Sequence, residues 1–66
     1  MIFYEVRSTF YDSGRVDIHI YPHNGDHLPY FHYDEYQTCD VWHDYFYKLE
    51  TAKQWYRDLK EQTMNI

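Results

Sequence analysis

The sequence has little of what small proteins use for covalent cross-links or tight turns: of 66 residues, one is cysteine, two are glycine and two are proline. A single thiol excludes an intramolecular disulfide and suits a reducing compartment better than a secreted scaffold. No apolar run approaches the roughly 20 residues that cross a bilayer, and the first residues lack the pattern of a signal peptide. We therefore expect a cytoplasmic protein with no membrane partner.

Signatures of catalysis are also missing. With two glycines the chain has no glycine-rich phosphate loop, and it has no nucleophile elbow. Cys39 and His43 would supply a nucleophile and a base, but four residues of extended strand separate them by about 13 Å. The sequence predicts a protein that is not an enzyme and that has no cofactor.

Positive charge is absent from the middle of the chain. The formal net charge is −5, and residues 16–47 contain no lysine or arginine. The six acidic residues of this stretch are Asp17, Asp26, Asp34, Glu35, Asp40 and Asp44. All five histidines also lie there. Because contacts to phosphates need a basic stripe, direct binding of nucleic acid is not expected.

Aromatic residues are abundant instead, with nine tyrosines, four phenylalanines and two tryptophans. A chain of this length buries only about 60% of its unfolded-chain surface, so its core cannot hold all of these rings. Exposed tyrosine offers a large contact area with a polar tip. The surplus tyrosine therefore indicates a recognition surface.

Alternating residues predict a β-hairpin over residues 2–21. A three-residue loop pairs Phe10 with Val16 and Val6 with Ile20, which keeps apolar side chains on one face, whereas a two-residue loop would not. The same loop places Gly14 at the left-handed position of a type I turn with a bulge.

The remaining elements are a third strand over 39–46 and an amphipathic helix over about 48–62. Both faces of the third strand carry aromatic residues, so the sequence leaves its buried face open. The helical stripe is predicted to cover the face of Ile2, Val6, Ile18 and Ile20. The fold class is thus α+β, a single β-β-β-α domain over 1–66. Its three-stranded antiparallel sheet packs on one C-terminal helix. A long acidic and aromatic loop spans 22–38, within which 30–36 is compatible with a short extra strand.

Two segments carry a resemblance to known proteins. Residues 4–14 read Tyr-Glu-Val-Arg-Ser-Thr-Phe-Tyr-Asp-Ser-Gly, and a later segment combines Cys39, Asp40, Asp44, Tyr45 and Phe46 with Ala52 in the helix. This pattern resembles small uncharacterised proteins encoded by phages and prophages of Gram-positive bacteria, over about two-thirds of the chain but not across 22–38. The resemblance implies a mobile-element origin and a role in contacts with the host.

These observations favour a phage-type accessory protein that binds a basic surface of a host protein. Such a protein would act as a nucleic-acid mimic that inhibits a nucleic-acid-binding defence complex, in the manner of small anti-CRISPR proteins. The predicted contact residues are Asp26, Tyr30, Phe31, Tyr33, Asp34, Glu35, Tyr36, Asp40 and Asp44. Aromatic rings would anchor the partner, and carboxylates would pair with its lysine or arginine side chains.

Two alternatives stay open at this point. A metal-stabilised module would draw its ligands from His23, His27 and His32 or from Cys39 and His43, although these spacings are not the tight pairs of a zinc site. A homodimer would bury the surplus aromatic residues against a second copy.

Overall fold

The structure, a computed structural model, describes residues 1–64 and contains a sheet and one helix. Along the chain the elements are β1 (Ile2–Tyr11), β2 (Val16–Asn24), β3 (His32–Glu35), β4 (Cys39–Phe46) and α1 (Leu49–Met64). The sheet is antiparallel, with the strand order β2-β1-β4-β3. The α+β class and the C-terminal helix are therefore confirmed.

The predicted strand count of three is wrong, because the loop over 22–38 contains the fourth strand, β3. Its four residues, His-Tyr-Asp-Glu, are mostly polar and show no apolar alternation. They form a strand because they pair with β4. Strand β2 also runs past Pro22 to Asn24, which an edge strand tolerates because one side of its backbone has no strand partner.

The predicted hairpin register is confirmed. Phe10 pairs with Val16 and Val6 pairs with Ile20. Gly14 has a φ of 93°, the left-handed conformation that the three-residue loop requires. The turn therefore fixes which residues of β1 and β2 share a face.

Helix α1 covers one face of the sheet. Val6 and Ala52 are fully buried at the contact, where the small side chain of Ala52 lets the helix approach the strands closely. Ile18 and Ile20 are half-buried on the same face, whereas Ile2, which was predicted to be covered, is mostly exposed. The helix contacts β1, β2 and β4 but leaves β3 uncovered. Within residues 1–64, no helix has both the length and the apolar character needed to cross a membrane.

The structure also settles the orientation of β4. Trp42, Asp44 and Phe46 lie on the face toward α1, since Trp55 of the helix contacts both Asp44 and Phe46. Val41 and His43 lie on the other face, which we call the open face because no helix packs on it in the part of the chain that the structure describes.

Candidate functional site

A groove lies beside α1, where the helix stops short of β3. Its volume is about 600 Å³, and it is lined by Ser8, Phe10, Phe31, Asp40, Trp42, Asp44, Trp55 and Leu59. We call it the acid-lined groove. Its floor comes from β1 and β4, and one wall comes from the helix. Phe31, just before β3, stacks on Trp42 with the ring centroids 5.7 Å apart.

Two carboxylates of the groove are held by aromatic side chains. The Tyr33 hydroxyl donates to Asp40 Oδ1 at 2.7 Å, and the Trp55 indole donates to Asp44 Oδ2 at 3.2 Å. Burial raises the pKa of Asp44, and the hydrogen bond from Trp55 opposes that effect. Each carboxylate therefore has a defined position, and each has a second oxygen that can accept from a ligand.

Most of the predicted contact residues lie at or near this groove. Phe31, Asp40 and Asp44 line it. Tyr33 and Glu35 share its face of the sheet, because they pair in register with Trp42 and Asp40. These five predicted contact residues therefore lie together on the face of the sheet that forms the acid-lined groove.

Four predicted residues lie elsewhere. Tyr30 is 92% exposed, and Asp26 and Tyr36 are also exposed, outside the strands. Asp34 lies on the open face, with its Oδ2 at 3.1 Å from His43 Nε2. Since neighbouring residues of a strand point to opposite faces, Asp34 and Glu35 cannot belong to one surface.

Sequence reasoning did not assign Phe10, Trp42, Trp55 and Leu59 to a binding site. Trp55 and Leu59 belong to the apolar stripe of the helix and were expected to be core residues. No local pattern separates them from core residues, because Trp55 and Leu59 continue the same helical stripe as Leu49 and Tyr56.

The open face holds a polar cluster around Glu5. The Glu5 side chain is 2% exposed, and its two oxygens accept four hydrogen bonds. Arg7 donates from Nε at 2.8 Å and from Nη2 at 3.2 Å, and His23 and His43 each approach to 2.7 Å. Burial alone would raise the pKa of Glu5, but these hydrogen bonds outweigh it and lower the pKa from 4.5 to about 2.

Aromatic rings cover this cluster. Phe3 is buried, stacks on His23 and meets the edge of Tyr45. Gly25 lies against Phe3, so close that an added Cβ would come within 3.1 Å of the ring. Burial, followed by the negative charge of Glu5, raises the pKa of Tyr45. The signal for this cluster was the pair Glu5 and Arg7 at a spacing of two, which places both on one face of a strand.

The ligand sets considered for a metal are not brought together. His23 is hydrogen-bonded to Glu5, His27 is exposed in the loop after β2, and Cys39 and His43 lie four residues apart along β4. Within residues 1–64, three potential ligands that do lie close together are His32, Asp34 and His43, on the open face.

Comparisons with known proteins do not add to this description: no family model, curated protein or solved structure matches the chain. The resemblance to phage-encoded proteins remains a prediction from the sequence.

Proposed function

We propose that this protein is a non-catalytic binding module. Its acid-lined groove would bind a segment of a partner protein that combines lysine or arginine side chains with a large apolar side chain. The observation that supports this most is the composition of the groove, where five large apolar side chains and two carboxylates line one concave surface. Aromatic residues in a depression are typical anchors of protein interfaces. Carboxylates at the edge favour lysine and arginine on the partner.

The charges around the groove support a positively charged partner surface. Asp40 and Asp44 lie in the groove and Glu35 lies beside Asp40 on β3, and residues 16–47 contribute no lysine or arginine. A cationic side chain on the partner would also favour the ionised form of Asp44, whose pKa burial raises.

Within this proposal, the narrower prediction is that the partner is a nucleic-acid-binding protein of a bacterial host defence complex, inhibited by competition for its basic surface. The net charge of −5 supports it, because a strong negative field steers such a surface toward the groove. The carboxylates of Asp40 and Asp44 are held in place by Tyr33 and Trp55, as a mimic of fixed phosphates requires.

Tryptophan fluorescence can report whether a peptide occupies the groove. Its two tryptophans, Trp42 and Trp55, both line the groove. We would titrate the protein with synthetic peptides that carry a leucine or tryptophan anchor between lysine and arginine residues. Tryptophan fluorescence would report occupancy, and light scattering would test self-association first. We expect saturable binding that weakens as salt is added.

Two matched charge reversals test whether the peptides bind in the acid-lined groove. Glu35→Lys changes the charge beside the groove, whereas Glu61→Lys makes the same change at an exposed position of α1. We expect Glu35→Lys to weaken binding about five-fold at low salt, the effect of about 1 kcal/mol at an exposed charge pair, and Glu61→Lys to have little effect. Equal effects of the two variants would rule out the groove as the binding surface. A stable dimer whose interface buries both tryptophans would favour the homodimer instead.

A further inference from the structure

The open face presents two histidines and a carboxylate at the edge of the sheet. His32 of β3 and His43 of β4 are direct partners in the register, and Asp34 follows His32 by two residues, so the three side chains share a face. The imidazole rings stack with centroids 4.1 Å apart and an interplanar angle of 13°. One oxygen of Asp34 lies 3.1 Å from His43 Nε2 and 3.6 Å from His32 Nε2.

Both ring nitrogens of His43 face carboxylate oxygens, but a neutral imidazole carries only one N–H proton. Its Nδ1 lies 2.7 Å from Glu5 Oε2, and its Nε2 lies 3.1 Å from Asp34 Oδ2. Glu5 also accepts from Arg7 and is a carboxylate, so Nδ1 must donate to it. A neutral imidazole then has only a lone pair at Nε2, facing a carboxylate oxygen. A metal ion bound to this lone pair and to the carboxylate oxygen would satisfy both atoms.

We propose that His32, Asp34 and His43 bind one divalent transition-metal ion of the zinc class, with Glu5 as the carboxylate that orients His43. Two ligands about 2.1 Å from a tetrahedral zinc ion are about 3.4 Å apart. The separations of 3.1 and 3.6 Å from Asp34 lie on either side of that value. Imidazole nitrogen with a single carboxylate suits zinc, cobalt or nickel better than magnesium or calcium.

Glu5 supplies the second part of such a site. Metal-binding histidines donate their other ring N–H to a carboxylate or carbonyl, which fixes the tautomer and the direction of the lone pair. Glu5 does this for His43 from a position that is 2% exposed, and Arg7 holds it in turn. His43 is thus aligned for a metal before any ion arrives.

The third ligand has to move slightly. Because the rings stack nearly parallel, the lone pairs of His32 and His43 do not converge, and binding requires one ring to tilt. The His32 side chain is 48% exposed and can tilt, whereas His43 is 12% exposed and held by Glu5. Three protein ligands leave at least one coordination position to water. The ion would join the short edge strand β3 to β4.

The test is a titration of the whole chain with Zn²⁺ by calorimetry and with Co²⁺ by visible absorption, together with thermal melts. We expect one ion per chain, Co²⁺ bands of a four- or five-coordinate site, and a higher melting temperature with Zn²⁺. His32→Ala and Asp34→Asn should each weaken binding at least ten-fold. Both side chains are about half exposed, so these variants should still fold.

The matched control is His19→Ala, which removes an exposed histidine from the same face at the opposite edge of the sheet. It should bind as the unchanged protein does. Glu5→Gln should weaken binding by 10- to 100-fold if Glu5 orients His43, and circular dichroism would show whether that variant is folded. Absence of Co²⁺ bands and of a Zn²⁺-dependent melting shift would overturn the proposal. So would an equal loss of affinity in His19→Ala and His32→Ala, which would indicate adventitious binding by surface histidines.

Discussion

Replacement of Glu5 by glutamine removes its charge and exchanges one of its two acceptor oxygens for a donor, while the side chain keeps its size. The pKa of Glu5 is lowered from 4.5 to about 2, and each pH unit of such a difference corresponds to about 1.4 kcal/mol. Ionised Glu5 therefore adds about 3 kcal/mol to the free energy of unfolding. For a chain of this length the total is about 3 to 10 kcal/mol, so the variant should be markedly less stable at pH 7.

The pH dependence gives the sharper result. Since the folded pKa is lower than the unfolded one, the stabilisation is fully present above about pH 5 and is lost as the pH falls toward 2. Urea denaturation at pH 7, 4.5 and 3 would compare the two proteins. The difference between them should shrink steadily as the pH falls, from about 3 kcal/mol toward zero.

A difference that stayed constant from pH 7 to pH 3 would refute this reasoning, because packing and not charge would then explain the loss. The control is Glu61→Gln, an identical change at an exposed position of the helix, which should differ little from the unchanged protein at every pH. Arg7 does not confuse the comparison, because its side chain is 39% exposed and stays hydrated without Glu5.

Three further changes test other parts of the structure. Ala52→Leu places a larger side chain at a fully buried helix contact and should lower the unfolding free energy by about 1 to 3 kcal/mol, measured by urea denaturation. Asp44→Asn removes a charge whose ionisation burial disfavours and keeps an oxygen for Trp55, so stability at pH 7 should stay equal or rise, and a clear loss would contradict the assignment. The hydrogen bond to Asp40 raises the pKa of Tyr33 to about 12. Asp40→Asn should therefore make one tyrosine ionise at lower pH in an ultraviolet titration.

The hairpin and the helix were predictable because local patterns fix them. A three-residue turn with Gly14 allows one register, and the apolar stripe of α1 has the helical period. For β3 the sequence left only a short extra strand within 30–36 open, because these residues acquire strand structure by pairing with β4. The sequence did not determine which face of β4 is buried, for a related reason. Trp42 and His43 both make specific contacts, on opposite faces of the sheet.

The candidate sites were predictable only in part. Composition pointed to acidic and aromatic contact residues, and three of those predicted, Phe31, Asp40 and Asp44, do line the groove. It could not show that Trp55, 11 residues beyond Asp44 in the chain, would complete the groove. Burial of Glu5 was beyond a local pattern, since it depends on His43, 38 residues away.

The buried carboxylate also bears on how the sheet keeps its register. The single helix within residues 1–64 covers one face of the sheet, and the open face carries the hydrogen bonds and rings around Glu5. Apolar residues of similar volume often stabilise a fold as well as a buried ion pair does. A slip of one residue, however, would turn Glu5 toward the helix, away from His23 and His43 and into the contact around Val6. An unpaired buried carboxylate there would cost several kcal/mol. The hydrogen bonds around Glu5 therefore favour the observed strand register over registers shifted by one residue.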